Sequence, residues 1–122
     1  MSSGLKVLLA EGDLMAQARL ESAAATAGAS IETVAGMGLL ERLRRSVPDI
    51  LVLDLDRGGQ PLIEAVAAAR AEGITLGRVL GYLSHVDKQL AEAAEAVGCE
   101  AIPRGRFWRT LPNLLAGQDA AG

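Results

Sequence analysis

The chain has 122 residues and a mass of 12.6 kDa, which is the size of one ordinary domain. Hydrophobic residues make up 50% of the chain and charged residues 22%, and this apolar content excludes an intrinsically disordered protein. The net charge of −3 and the pI near 5.1 exclude a broad basic surface, so no direct nucleic-acid partner is expected.

Short apolar runs predict the strands of a sheet. Four of them cover residues 5–10, 50–53, 79–83 and, more weakly, 101–102. Because these runs are apolar on consecutive residues, we expect helices to cover both faces, as in a parallel sheet. A fifth, more amphipathic run at 30–35 suits an edge strand.

Helical periodicity fills the gaps between the apolar runs. The four segments and the residues that end them are 14–27 with Gly28, 37–46 with Pro48, 61–72 with Gly73 and 86–97 with Gly98. Asp13 is placed to cap the first helix, and Pro61 falls where a first-turn proline is tolerated. The alternation of strand and helix predicts a single doubly wound α/β domain.

A last helix is expected around Phe107, with Pro112 in its interior. An interior proline costs a helix about 3 kcal/mol. We therefore expect this helix to be short or broken near Leu111, and the choice between monomer and dimer stays open.

Acidic residues follow two strands that are usually neighbours in such a sheet. Glu11 and Asp13 come after the first strand, while Asp54 and Asp56 come at the end of the third. Crowded carboxylates either raise one another's pKa or hold a hard cation. Asp13 and Asp56 have structural alternatives as a helix cap and a turn, but an aspartate that closes a buried strand has little structural reason to be there.

Several stretches together make the chain resemble, over essentially its whole length, the receiver domain of bacterial two-component response regulators. They are Lys6-Val7-Leu8-Leu9-Ala10-Glu11, Pro48-Asp49-Ile50-Leu51-Val52-Leu53-Asp54-Leu55, Ala101-Ile102-Pro103-Arg104 and Phe107. The resemblance implies a flavodoxin-like sheet of five parallel strands in the order 2-1-3-4-5, with helices on both faces. This domain would span 1–116, followed by a disordered tail at 117–122.

The resemblance also implies site roles. In this family an aspartate at the position of Asp54 receives a phosphoryl group, and an acidic pair after the first strand holds magnesium. Asp54 is therefore the candidate phosphoacceptor. Glu11, Asp54 and Asp56 are the candidate ligands of a weakly bound Mg²⁺, Asp56 through its main-chain carbonyl.

The match departs from the family at its charged and hydroxyl positions. Gly12 stands where the second acidic residue belongs, unless Asp13 takes that place. The family ends its fourth strand with Thr or Ser, whereas a gap-free alignment puts Leu83 there and Ser84 one residue later. A slip of one residue would restore the hydroxyl but turn Leu83 over.

The fifth strand departs as well. The family's Pro-Lys appears as Pro103-Arg104, although counting forward from Gly98 puts Gly105 at the lysine position. Arginine keeps the charge but is no equivalent of a compact ammonium in a tight phosphate site. Neither Ala101 nor Ile102 supplies the aromatic residue that the family commonly has on this strand.

These departures favour a degenerate receiver, a non-enzymatic signalling module that binds a histidine kinase or a downstream signalling protein. One alternative is a working receiver that a histidine kinase phosphorylates at Asp54. Another is a flavodoxin-like binder of a small ligand, although Glu11 and Asp13 would repel an anion. A single cysteine excludes an internal disulfide, no run spans a membrane, and a cytoplasmic location is expected.

Overall fold

A computed structural model describes residues 4–84 and 87–117. Within these ranges, strands and helices alternate along the chain. In order they are β1 (Lys6–Ala10), α1 (Leu14–Ala27), β2 (Ser30–Val34), a 3₁₀ turn (Gly36–Gly38), α2 (Leu39–Arg45), β3 (Ile50–Asp54), α3 (Leu55–Ala71), β4 (Arg78–Leu83), α4 (Lys88–Ala96), β5 (Glu100–Pro103) and α5 (Arg104–Leu115). None of the described helices is long and apolar enough to span a membrane.

The strands form one parallel sheet. Its order is β2-β1-β3-β4-β5, which confirms the predicted order and the predicted edge position of the 30–35 run. All strands run in the same direction, so their carboxyl ends meet at one edge of the sheet. At this edge Asp54, the last residue of β3, pairs in register with Tyr82 of β4.

Apolar side chains cover both faces of the sheet, as the continuous apolar runs predict. One layer joins the sheet to α2, α3 and α4, and its fully buried members include Leu8, Leu53, Leu39, Leu62 and Ala94. The opposite layer joins the sheet to α1 and α5, and its fully buried members include Leu9, Val52, Leu80, Leu20 and Phe107. Alternate residues of each strand serve the two layers, because successive side chains point to opposite faces.

The ends of α1 follow the sequence prediction. The Asp13 side chain accepts a hydrogen bond of 2.8 Å from the amide of Ala16, and this contact satisfies one of the free amides of the first turn. Gly28 ends the helix in the left-handed conformation, with φ of 73°. Both boundaries have a local chemical cause that can be recognised in the sequence.

The described bounds of three other helices differ from the predicted ranges, although the position of Pro61 in a first turn is confirmed. The α2 helix covers only Leu39–Arg45, and a 3₁₀ turn precedes it. The α3 helix begins at Leu55 because Asp54 caps it, and a break at Gly59 (φ 54°) puts Pro61 in the first turn of the second segment. The α4 helix begins at Lys88 because the Asp87 side chain accepts from Leu90 and caps it; Val86 lies outside the described residues.

The α5 helix corrects another prediction. It runs without interruption over Arg104–Leu115, with Pro112 inside it. Leu111, Leu114 and Leu115 are all buried against the sheet, at most 6% exposed. The burial of each such side chain contributes about 1.5–3 kcal/mol, enough to offset one interior proline. Of the predicted tail at 117–122, only Gly117 lies within the described residues.

Gly81 offers a test of the packing between β4 and α3. An alanine Cβ there would lie 2.6 Å from Leu55 Cδ1 and 2.9 Å from Cys99 Sγ. We predict that Gly81→Ala lowers the free energy of unfolding by about 1–3 kcal/mol in urea denaturation. Gly105→Ala is the matched control, because a Cβ on this α5 residue meets nothing within 4 Å and alanine favours a helix. Equal midpoints for Gly81→Ala and the parent chain would contradict this packing.

Candidate functional site

The Asp54 carboxylate is enclosed by hydrogen-bond donors at the carboxyl edge of the sheet. The residue is buried, with 0% of its surface exposed. Its Oδ1 atom accepts from the amide of Arg57 at 3.0 Å, which makes Asp54 the N-cap of α3. Its Oδ2 atom accepts from the phenol hydroxyl of Tyr82 at 2.8 Å. Both carboxylate oxygens therefore have donors, as a buried charge requires.

Tyr82 reaches Asp54 because of its register and its side-chain direction. The two residues are partners across β3 and β4, so their side chains leave the sheet on the same face. Tyr82 is itself fully buried. Burial, and then the hydrogen bond to Asp54, raise the pKa of the Tyr82 phenol above its ordinary value of 10.0. The phenol stays protonated as a result, and it is the donor in this pair.

All three aromatic residues of the chain meet above Asp54. The Tyr82 ring centroid lies 4.9 Å from that of Phe107 and 5.1 Å from that of Trp108, and the latter two lie 4.9 Å apart. The Arg104 guanidinium lies 5.3 Å from the Tyr82 ring centroid. Such contacts contribute about 0.5–1.5 kcal/mol each beyond burial alone. They fix the ring whose hydroxyl binds Asp54.

A second cluster joins three of the residues that the sequence singled out. The Asp56 carboxylate accepts from the Ser84 amide at 2.8 Å and from Arg104 Nη1 at 3.0 Å. Arg104 is the first residue of α5, directly after β5. Arg104, one of the two candidates for the family's lysine position, therefore pairs with Asp56, two residues after Asp54. This pair is partly exposed, and such pairs contribute at most about 1 kcal/mol.

Glu11 is turned away from Asp54. Its backbone adopts φ of 65°, which is rare outside glycine and costs about 1–3 kcal/mol. Its Oε1 atom accepts from the amide of Gly36 at 2.6 Å, and its main-chain carbonyl accepts from Arg57 Nε at 2.9 Å. Glu11 thus ties the loop after β1 to the 3₁₀ turn and to α3.

The side chains of Glu11, Asp54 and Asp56 therefore have different partners, although Asp56 was predicted to bind magnesium through its main-chain carbonyl and that part stays a prediction. Glu11 binds Gly36, Asp54 binds Tyr82 and Arg57, and Asp56 binds Arg104. Within residues 4–84 and 87–117, no group of three His, Cys, Asp or Glu side chains could hold a metal ion. Magnesium requires near-octahedral oxygen ligands, and these carboxylates do not converge to supply them. The side chains as arranged do not fit the ion.

The two candidates for the hydroxyl position lie elsewhere. Leu83 is buried in the layer that β4 shares with α3 and α4, on the face opposite to Tyr82. Ser84 is exposed and contributes its amide to Asp56. The hydroxyl that binds Asp54 comes from Tyr82, a residue to which the sequence analysis gave no site role. No local pattern in the sequence marks this role, because it depends on the register between β3 and β4.

Solved receiver domains match this fold over nearly the whole chain. A response regulator from Thermotoga maritima gives a TM-score of 0.76 at 16% identity, over 93% of this chain and 96% of that one. The receiver domain of the sensor histidine kinase PA1611 from Pseudomonas aeruginosa, with a magnesium ion coordinated in its active site cleft, gives 0.72 at 16% identity, over 94% and 97%. The phosphorylated cyanobacterial phytochrome response regulator RcpA gives 0.73 at 20% identity, over 94% and 91%.

No protein-family model matches the chain, and no curated protein sequence does. Sequence identities of 16–20% to the structures above establish the fold. The chain has the receiver fold, as the sequence resemblance implies.

The protonation of Tyr82 is open to direct titration, because this is the only tyrosine of the chain. Its raised pKa means that above pH 10.0 the unfolded phenol ionises while the folded phenol does not. Stability therefore falls as the pH rises above that value. We predict that tyrosinate absorbance appears well above pH 10 and together with unfolding, and that Asp54→Asn lowers the midpoint. A midpoint near pH 10 in the folded protein would contradict the buried hydrogen bond.

Proposed function

We propose that this chain is a degenerate receiver, a non-enzymatic signalling module that acts by binding a partner protein. In this proposal Asp54 is not an efficient phosphoacceptor, and the module works in the cytoplasm. The observation that carries the proposal is the hydrogen bond from the Tyr82 hydroxyl to Asp54 Oδ2 at 2.8 Å, in a site where Asp54 has 0% of its surface exposed.

The Tyr82 phenol is bonded to one of the two Asp54 oxygens that could accept a phosphoryl group. A carboxylate attacks a phosphorus atom with an oxygen lone pair in line with the leaving group. Oδ2 of Asp54 faces the phenol, and Oδ1 faces the amide of Arg57. Exposing Oδ2 requires the loss of a hydrogen bond to a charged group, which costs about 1.5–3 kcal/mol, and the displacement of a packed ring.

The charges around Asp54 also disfavour phosphoryl transfer. Metal ions and cationic side chains normally neutralise the charge that develops on the phosphoryl group. Arg104, one of the two candidates for the family's lysine position, pairs with Asp56 at 3.0 Å. Glu11 gives its carboxylate to Gly36 at 2.6 Å. A phosphoryl group on Asp54 would therefore find Arg104 already paired, and the Arg57 guanidinium beside the site already donates to the Glu11 main-chain carbonyl at 2.9 Å.

The fold supports a role in signalling, and the site supports a role that does not depend on phosphorylation. The RcpA structure is of a phosphorylated response regulator, and that of PA1611 holds magnesium. Those are properties of proteins 16–20% identical to this one. For this chain we expect a histidine kinase or a downstream signalling protein as the partner, bound through a surface that is constant in shape.

Labelling with a small phosphodonor tests this function. We predict that the chain incubated with acetyl phosphate and Mg²⁺ gains no phosphoryl group by intact mass, because Tyr82 encloses the acceptor oxygen. A phosphorylatable receiver in the same buffer serves as the positive control. If the chain gains one labile phosphoryl group within minutes and Asp54→Asn does not, it is a working phosphoacceptor and the proposal fails.

A further inference from the structure

We infer that the groove between α1 and α5 binds a helix of a partner protein, one with an apolar stripe flanked by carboxylates. The groove has a volume of about 620 Å³. Its walls include Arg19, Ala23 and Thr26 of α1 and Trp108, Leu111 and Pro112 of α5. The inference rests on the proposed function in one respect, that the bound helix belongs to a signalling partner.

The apolar surface continues beyond the groove. Leu14 and Met15, in the first turn of α1, are 83% and 67% exposed and are among the few large apolar side chains of the described residues that face solvent. Met15 lines an adjoining pocket with Trp108, and the charged residues of that pocket are Arg19, Arg104 and one carboxylate, Asp13. Exposed apolar side chains beside an apolar groove are a feature of protein-binding sites. Its concave form between two helices suits an amphipathic helix, which lays its apolar stripe into such a groove.

The charges of the groove favour a partner with carboxylates. Arg19 is a wall residue, no Asp or Glu is among the residues that line the groove, and Arg109 lies one helical turn before Pro112. Neither arginine forms an ion pair with a described residue, whereas four other arginines do. Those four are Arg42, Arg44, Arg78 and Arg104. In a chain with a net charge of −3, unpaired cations beside an apolar groove are complementary to an acidic helix.

The groove is in contact with the Asp54 site through Trp108. The Trp108 ring lies beneath the Arg19 guanidinium, 5.4 Å from centroid to carbon, and 5.1 Å from the Tyr82 ring. Tyr82 in turn donates to Asp54. A helix that packs on Trp108 therefore contacts the same aromatic cluster that encloses Asp54. Tyr82 packs on Trp108, which is one wall of the groove, so the surface offered to the partner does not wait for phosphorylation.

Two synthetic peptides test the inference on the full chain. Both form amphipathic helices with the same leucine stripe, and the stripe is flanked by glutamates in one and by lysines in the other. Binding is read by the anisotropy of the labelled peptide and by the emission of Trp108, the only tryptophan of the chain. We expect saturable binding of the glutamate peptide with a shift in Trp108 emission, and at least tenfold weaker binding of the lysine peptide.

Charge reversal identifies the cations that are responsible. The double substitution Arg19→Glu with Arg109→Glu should lower the affinity for the glutamate peptide about tenfold and raise the affinity for the lysine peptide. The change is modest because each exposed ion pair contributes little. A gain for the lysine peptide cannot come from misfolding. The matched control, Arg45→Glu with Lys88→Glu, makes the same change in charge at two exposed residues outside the groove and should leave both affinities unchanged.

Three results would overturn the inference. The first is equal affinity for both peptides, and the second is an equal loss of affinity for the glutamate peptide in the control variant. The third is a concentration-dependent dimer that the groove variant abolishes, since a second copy would then occupy the groove. The same titration on Asp54→Asn separates this inference from the proposed function. If Asp54→Asn still binds the glutamate peptide, the groove is supported, whatever the labelling experiment shows. If acetyl phosphate labels the parent chain, only the proposed function is contradicted.

Discussion

The hydrogen bond between Tyr82 and Asp54 is the constraint from which the rest of this edge of the sheet follows. A carboxylate with no exposed surface is stable only with donors on its oxygens, and the phenol supplies one of them at 2.8 Å. The same phenol can stand above Asp54 because Phe107 and Trp108 pack on its ring. The three aromatic residues of the chain therefore all pack at this one site, and the buried hydrophobic residues elsewhere are almost all aliphatic.

With this site closed, the neighbouring charges form separate pairs in place of one shared site. Asp56 is neutralised by Arg104, and Glu11 binds a backbone amide at the cost of a strained φ of 65°. Each contact ties a loop at the carboxyl edge to a neighbouring element. The proposed function uses this arrangement as a surface of constant shape, since a metal ion and a phosphoryl group would each have to displace one of these contacts.

Local signals in the sequence predicted most of the fold, and longer-range packing accounts for what they missed. The ends of α1 were predicted because Asp13 and Gly28 act within one turn of the helix. The break predicted at Pro112 is absent because the burial of apolar side chains of α5 against the sheet offsets the cost of a proline inside the helix. Asp54, Asp56 and Arg104 lie at the carboxyl edge of the sheet, but which residues they contact depends on which residues pair across β3 and β4. That register put Tyr82 opposite Asp54, and no local pattern reveals it.

The central claim is that the Tyr82 hydroxyl and the Asp54 carboxylate stabilise the fold as a pair, which a double-mutant cycle measures directly. The free energy of unfolding is determined in urea for the parent chain, Tyr82→Phe, Asp54→Ala and the double variant. We predict that the two losses are not additive, with a coupling energy of about 1–3 kcal/mol, because either substitution alone removes the same hydrogen bond. Additive losses, with a coupling energy below about 0.3 kcal/mol, would contradict the account.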